Sequence, residues 1–93
     1  MIRMIKRNKV TISGDVQGVF FRKFIYEHAT KLGLNGYVMN TDDGSIEAVF
    51  EGDKEKIKKM VGLCKKGPAA AKIESIKVTE EKIKNEKEFV RKN

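Results

Sequence analysis

The chain has little of several residue types that mark particular protein classes. Its 93 residues include one cysteine, one proline, one histidine and no tryptophan. A single cysteine cannot form an internal disulfide and gives no sign of an oxidising compartment. The apolar runs are only a few residues long, so no transmembrane helix is predicted. The first residues show no apolar stretch followed by a cleavage site, and we therefore expect a cytoplasmic protein without a secretory signal.

Acidic residues are also in the minority. Lys and Arg number 20 against 13 Asp and Glu, which gives a formal net charge of +7. This excess attracts anions, but it does not choose between nucleic acid and small phosphorylated molecules. Most of the charge alternates in sign along the chain, as in an ordinary solvated surface. The exception is a basic run near the amino terminus, which we expect to be mobile: Arg3, Lys6, Arg7 and Lys9.

The first two predicted elements are a strand and a helix. Val10 and Ile12 alternate with polar neighbours and predict a strand over residues 10–14. From residue 21 the apolar positions are three and four apart, as on one face of a helix, and Gly33 is expected to end that helix. The residues of this face are Phe21, Phe24, Ile25, His28, Ala29 and Leu32.

The remaining elements follow from the same patterns and complete an α+β fold. They are a strand over 34–40, a turn at Asp43-Gly44, a strand over 45–52, a helix capped by Asp53 and ended by Gly67-Pro68, a strand over 71–79 and a short strand over 88–92. Residues 1–93 are thus predicted to form one domain with a ferredoxin-like βαββαβ sandwich. Two helices would lie on one face of a mainly antiparallel, four- to five-stranded sheet. Enzymes, RNA binders and regulatory modules all use this architecture, so the fold does not decide the function.

The stretch GDVQGVFFRKF between the first strand and the first helix carries the main functional signal. On their own, Gly14 and Gly18 would indicate only a tight turn. However, the first turn of a helix is already electropositive, and Arg22 and Lys23 add two cations to it. Glycine-rich turns and helix amino termini both offer N–H groups to anions, and Arg22 can donate two parallel bonds to phosphate oxygens. The pattern predicts a phosphate site.

The neighbours of Arg22 are expected to have other positions. Lys23 is predicted to be a surface residue. The carboxylate of Asp15 should point outward, because it would repel a bound anion. The aromatic pair Phe20 and Phe21 is expected to be buried.

Three other kinds of reactive residue give weaker signals. His28 lies on the apolar helix face, where a packed or partly exposed imidazole is expected rather than a catalyst. Asp42 and Asp43 are adjacent in a turn and have no further ligands at suitable spacing, so no metal site is predicted. Cys64 falls on the apolar stripe of the second helix and is expected to be an inert small hydrophobe.

Two separate motifs add a more specific signal. The first, I-x-G-x-V-Q-G-V-x-F-R, runs from Ile12 to Arg22. The second begins with Gly-Tyr-Val-Met-Asn, from Gly36 to Asn40, and continues at Gly44, Ile46 and Gly52. These motifs resemble the two signatures of the acylphosphatase family, in which valine is usual at the position of Ile46. The resemblance extends over nearly the whole chain.

The resemblance implies an enzyme that hydrolyses the carboxyl–phosphate bond of acyl phosphates without a metal or cofactor. Arg22 and the backbone amides of the loop would hold the phosphate, Asn40 would position the attacking water, and Thr41 is a candidate for an assisting role. The implied ligands are a small-molecule acyl phosphate and inorganic phosphate, and a monomer is the default at this size. The implied phosphate-binding residues are Asp15, Val16, Gln17, Gly18, Val19, Phe20, Phe21 and Arg22.

Two alternatives from other classes remain open on the residues alone: a nucleic-acid-binding module and a regulatory domain of the same fold. RNA-binding sheets of this architecture carry aromatic residues within a basic-Gly-aromatic box, which this sequence lacks. The predicted strands over 10–14 and 45–52 contain a single aromatic residue, Phe50, which is expected on the core face. The joint presence of Arg22 and Asn40 argues against a purely regulatory domain. Asn40 alone would indicate only a turn, so its catalytic role depends on its lying beside the loop.

Overall fold

The computed structural model describes residues 3–92, in which the strands and helices occur in the predicted order. The elements are β1 (Ile5–Asp15), α1 (Phe21–Lys31), β2 (Asn35–Asn40), β3 (Ile46–Asp53), α2 (Lys54–Lys66), β4 (Lys72–Glu80) and β5 (Phe89–Arg91). The strands form one sheet in the order β4-β1-β3-β2-β5. All neighbouring strands are antiparallel except β2 and β5, which are parallel. The predicted ferredoxin-like α+β fold is therefore confirmed, with five strands in a mixed sheet.

The core lies between one face of the sheet and both helices. In β1 and β3, Val10 is opposite Ala48 and Ile12 is opposite Ile46, so these side chains share a face. The predicted three-and-four spacing places one stripe of each helix on that face. The buried helical residues are Phe21, Ile25 and Ala29 of α1, and Ile57, Met60 and Cys64 of α2.

The helices end where the sequence predicts, by identifiable local geometry. Gly33 has a φ of 72°, and its N–H donates to the carbonyl of Thr30, while Leu34 donates to Ala29. This pair of bonds is the Schellman arrangement, which requires a left-handed residue at the position of Gly33. Asp53 lies at the N-cap of α2, as predicted, but its side chain makes no capping hydrogen bond.

The first strand is longer than predicted, and the basic run belongs to it. β1 begins at Ile5, and Lys6, Arg7 and Lys9 pair with residues of β3. The expectation of a mobile basic segment is thus wrong for these residues. Arg7 is only 3% exposed, and its guanidinium lies 3.3 Å from the carboxylate of Glu51 and 3.1 Å from that of Glu81. A strand is usually predicted from alternating apolar residues. At this end of β1 a buried, paired charge stands in place of one of them, so the strand was predicted to begin too late.

The last strand brings the end of the described chain back to β2. The N–H of Gly36 donates to Glu88 at 2.9 Å, and the N–H of Lys92 donates to Val38 at 2.8 Å. Phe89 stacks on Phe50, with ring centroids 5.7 Å apart, and joins the core. The predicted terminal strand is therefore present, and it lies along the strand that ends at Asn40.

The residues with weaker chemical signals lie where the sequence predicts. His28 is half-buried beside the ring of Phe24, at 4.5 Å between centroids. Cys64 is fully buried, and this burial raises the pKa of its thiol to about 12. A thiol with such a pKa is protonated at neutral pH and unreactive. Within residues 3–92, no helix is long and apolar enough to cross a membrane.

Candidate active site

A cavity of about 260 Å³ lies where β1 ends and α1 begins. The end of β2 and the end of β5 complete its wall. Arg22 and Asn40, which the two sequence motifs contribute separately, thus border the same cavity. The lining residues are Val16, Gly18, Phe20, Phe21, Arg22, Lys23, Asn40 and Arg91.

The loop that enters α1 has a backbone that only particular residues adopt easily. Gly14 has a φ of 130° and lies against β4, so that a Cβ there would overlap the carbonyl oxygen of Lys72. Gly18 and Phe20 follow with φ values of 74° and 63°. Phe20 is the N-cap of α1, but its side chain makes no capping hydrogen bond. The first-turn amides of α1 are therefore not capped by this residue, and such amides attract anions.

Cations are concentrated at the cavity. Arg22 and Lys23 lie in the first turn of α1, which contains no acidic residue, and Arg91 enters from β5. Among the lining residues, all within the described part of the chain, there is no carboxylate. The helix dipole adds further positive potential at this end of α1. The cavity is thus suited to a small anion with more than one negative charge.

The guanidinium of Arg22 is oriented by the residue that follows β5. Its Nη1 donates to the backbone carbonyl of Lys92 at 2.9 Å. A guanidinium has several N–H donors in one plane, so this bond fixes its direction and leaves donors for a ligand. The end of β5 thus contributes to the site both a cation, Arg91, and an orienting acceptor.

Asn40 is the last residue of β2 and has an unusual side-chain environment. Its Oδ1 is buried and has no hydrogen-bond donor among residues 3–92. Leaving a buried acceptor unpaired costs roughly 1–3 kcal/mol, so such groups are few and call for an explanation. Asn40 is opposite Ile46 of β3, on the sheet face that bears the helices and the cavity.

Gln17 connects the loop to the turn that follows Asn40. Its Nε2 donates to the carbonyls of Thr41 and Ser45, at 2.8 Å in both cases. Sequence reasoning included Gln17 only for its backbone amide and missed this role of the side chain. Because both acceptors are backbone atoms, no residue pattern indicates the contact.

Thr41 closes the turn between β2 and β3 and is not among the residues that line the cavity. Its hydroxyl donates to the carboxylate of Asp43 and accepts the N–H of Ser45 at 3.1 Å. The bond from Thr41, followed by those from Ser45, lowers the pKa of the exposed Asp43. The hydroxyl of Thr41 is thus engaged within the turn, and Thr41 does not border the cavity that contains Arg22.

Other expectations for the loop have mixed outcomes. Asp15 is exposed, as predicted. Phe21 is 1% exposed, but Phe20 is 80% exposed, so the prediction of a buried aromatic pair is wrong for Phe20. The apolar face of α1 begins at Phe21, whereas Phe20 precedes the helix with a left-handed backbone and does not belong to that face. Lys23 is exposed, as predicted, and also borders the cavity.

Arg91 was missed by sequence reasoning. Arg91 is opposite Val38 in the parallel pair of β2 and β5, so these two side chains share a sheet face. Asn40 follows Val38 by two residues in β2 and therefore lies on that face too. Near the end of the chain, no apolar pattern or glycine marks such a residue as functional.

Within residues 3–92, no three or more His, Cys, Asp or Glu side chains come together in a group that could hold a metal ion.

Comparison with known proteins identifies relatives over most of the chain. The family model described as Acylphosphatase matches residues 8–91. An acylphosphatase from Rubrobacter xylanophilus is 47% identical over 79 residues, which are 85% of this chain and 72% of that protein. An acylphosphatase from Syntrophobacter fumaroxidans is 45% identical over 86 residues, which are 92% of this chain and 87% of that protein.

Solved structures with the same fold are also similar to this chain. The crystal structure of an acylphosphatase from Bacillus subtilis has a TM-score of 0.91 and 33% identity, and covers 97% of this chain and 100% of that one. Full-length HypF in its phosphate- and nucleotide-bound form has a TM-score of 0.93 and 30% identity, and covers 100% of this chain but 12% of that one. On the family model and these relatives, the chain belongs to the acylphosphatase family.

Proposed function

We propose that this chain hydrolyses the carboxyl–phosphate bond of acyl phosphates and releases a carboxylate and inorganic phosphate. The observation that carries the proposal is that Arg22 and Asn40 border one cavity at the amino-terminal end of α1. Relatives named acylphosphatase at 47% and 45% identity support it. As the family resemblance implies, the proposed reaction uses no metal or cofactor.

The phosphate is held by the loop from Asp15 to Phe21 and by Arg22. Backbone N–H groups of the loop and of the first turn of α1 surround the anion, and the guanidinium donates to its oxygens. Placing Arg22 and Lys23 at the positive pole of a helix is unfavourable without an anion. A bound phosphate reverses this, because the same cations then stabilise it.

Asn40 positions the attacking water. An amide does not take a proton at neutral pH, but its carbonyl oxygen accepts a hydrogen bond from water. The Oδ1 of Asn40 accepts no hydrogen bond from residues 3–92. Rotating the side chain toward the cavity would therefore break no hydrogen bond between that atom and the protein. The water oxygen forms a bond to phosphorus as the bond to the acyl oxygen breaks and the carboxylate leaves. A phosphate oxygen of the substrate receives the proton.

Positioning and charge stabilisation are sufficient for this reaction. A carboxylate is a good leaving group, so no strong base is required. Fixing the water in line with the scissile bond removes much of the entropic barrier. Hydrogen-bond donors around the phosphate stabilise the transition state, in which charge spreads over its oxygens.

Hydrolysis of benzoyl phosphate in the presence of EDTA tests the proposal. Arg22→Lys and Arg22→Ala are both expected to weaken inhibition by inorganic phosphate, because the planar fork is lost. Asn40→Ala is expected to lower turnover about 10²-fold while phosphate inhibition is largely kept. Arg3→Ala serves as the control. Arg3 is exposed and precedes the first residue of β1, whereas the cavity lies where β1 ends. Wild-type turnover in both Arg22→Ala and Asn40→Ala would show that the site is elsewhere.

We also propose that residues 1–93 act as a single, monomeric acylphosphatase-like domain in the cytoplasm. A small-molecule substrate requires no partner chain, and the lone cysteine Cys64 is compatible with a reducing compartment. Light scattering of the purified protein tests the monomer, and fractionation of the source cells tests the location. A dimer mass, or activity confined to a secreted fraction, would contradict the respective part.

A further inference from the structure

Phe20 is exceptional among the exposed apolar residues that the structure describes. It is 80% exposed, whereas the next large hydrophobic side chain within residues 3–92, Met4, is 52% exposed. Single exposed apolar side chains are common and indicate nothing by themselves. Phe20 differs because it borders the cavity that also contains Arg22 and Asn40. The other apolar lining residues, Val16 and Phe21, are each 1% exposed and belong to the core.

The backbone of Phe20 is also unusual. With a φ of 63° and a ψ of 21°, it is in the left-handed region, which a bulky residue enters at a cost of about 1–2 kcal/mol. The other non-glycine residue with positive φ in the described chain is Asn85, a type that tolerates this region. Glycine or asparagine at position 20 would relieve the strain and remove the exposed ring. Strained residues that persist are concentrated at ligand sites.

We propose that the ring of Phe20 is the binding surface for the acyl group of the substrate and that it favours aromatic over small acyl groups. This inference rests on the function proposed above. When the phosphate lies in the loop, in-line displacement directs the acyl oxygen away from the water held by Asn40. The acyl group then extends toward the open side of the cavity, where Phe20 offers the exposed apolar surface.

Lys23 and Arg91 also border the cavity, but they suit the other end of the substrate. Together with Arg22 they stabilise the negative charge of the phosphate. Both residues are exposed, and exposed cations attract a second anionic group only weakly. An aromatic ring on Phe20 instead gains from offset or edge-to-face packing, at about 0.5–1.5 kcal/mol per ring pair in proteins.

The test compares kcat/KM for benzoyl phosphate with kcat/KM for acetyl phosphate. The intrinsic reactivities of the two substrates cancel when the ratio in a variant is divided by the ratio in the wild type. Phe20→Ala and Phe20→Asn are expected to lower the ratio about 3- to 10-fold, which corresponds to one lost ring contact. Phe20→Tyr keeps the ring and is expected to keep the ratio. Ile83→Ala is the control, since Ile83 is exposed but borders a different pocket, beside the start of β1.

The outcomes separate this inference from the proposed function. If the wild type hydrolyses both substrates and Phe20→Ala leaves the ratio unchanged, the inference is wrong and the function stands. If Phe20→Tyr lowers the ratio as much as Phe20→Ala, the loop backbone rather than the ring is responsible, and the inference is again wrong. If the wild type hydrolyses neither substrate, the proposed function fails, and the inference fails with it.

Discussion

Replacing Glu51 by glutamine is expected to destabilise the protein strongly, although the change removes no volume. Glu51 is 5% exposed, and its carboxylate accepts three hydrogen bonds. The N–H groups of Lys84 and Glu86 each donate to it at 2.7 Å, and the guanidinium of Arg7 donates at 3.3 Å. This carboxylate therefore fastens the segment between β4 and β5 to the sheet face opposite the helices.

The magnitude follows from these contacts. In Glu51→Gln one acceptor oxygen becomes an NH₂ group, which opposes a backbone N–H and cannot accept its bond. A hydrogen bond to a charged group contributes about 1.5–3 kcal/mol, and breaking a buried ion pair costs about 3–5 kcal/mol. Arg7 keeps Glu81 at 3.1 Å, so the loss is less than the full sum. We expect about 3 kcal/mol, or a fall in Tm of about 12–24 °C for a domain of this size.

Urea unfolding at neutral pH measures this loss, and Glu80→Gln is the matched control. Glu80 pairs with Lys6 at 3.1 Å, but its side chain is 64% exposed, so its removal should cost at most about 1 kcal/mol. An equal loss of unfolding free energy in both variants would refute the argument. It would mean that burial and the two backbone donors add nothing to an ordinary surface carboxylate.

The pH dependence supplies a second check. Burial alone would raise the pKa of Glu51, but the bonds from the Lys84 and Glu86 amides and from Arg7 outweigh it, and the net pKa is below the ordinary 4.5. A carboxylate with a lowered folded pKa stabilises the fold above its unfolded pKa, and this stabilisation disappears as the pH falls through the folded value. The difference between wild type and Glu51→Gln should therefore be complete above pH 4.5 and shrink below it. A difference that stays constant under acid conditions would exclude the ionised carboxylate as its source.

Two further substitutions test the loop and the sheet. Gln17→Ala removes the donor to Thr41 and Ser45. Under the proposed mechanism it should lower kcat about tenfold or more, because a small displacement of Asn40 would misplace the attacking water. Unchanged kcat in steady-state assays would show that this bond is not needed. Gly36→Ala should cost about 3 kcal/mol or more in urea unfolding, since its Cβ would overlap a backbone oxygen of β3, whereas Gly62→Ala, in open space on α2, should stabilise by about 0.5–1 kcal/mol. Equal effects of the two alanines would contradict the close strand approach.

Much of the fold could be predicted because its signals are local. The alternation in β3 and the spacing in both helices reflect burial on one face, and Gly33 and Gly44 mark positions of positive φ. Helix and strand ends therefore differ from the predicted ones by about a residue, apart from the start of β1. The pairing of Arg22 with Asn40 was predicted from two motifs, and the cavity brings these residues to one place.

The features that were missed depend on contacts between distant parts of the chain. Arg7 is buried only because Glu51 and Glu81 come to it from β3 and from the end of β4. Arg91 reaches the cavity only because β5 pairs with β2. Phe20 is apolar and was therefore predicted to be buried, but the left-handed turn that begins α1 places it outside the core. No spacing rule within one segment carries this information.

The ionic cluster and the candidate site are connected through β5, and this connection can be measured. Glu51 accepts a hydrogen bond from the N–H of Glu86, and β5 begins three residues later. The carbonyl of Lys92, directly after β5, orients Arg22. In folded Glu51→Gln, freer movement of the segment before β5 should weaken that orienting bond. Inhibition by inorganic phosphate is then expected to weaken about threefold, within the range of one neutral hydrogen bond, while Glu80→Gln keeps the wild-type value. If phosphate inhibition is also unchanged in Glu51→Gln, then the pairing of β5 with β2 and the stacking of Phe89 on Phe50 are enough to hold Arg22 in place.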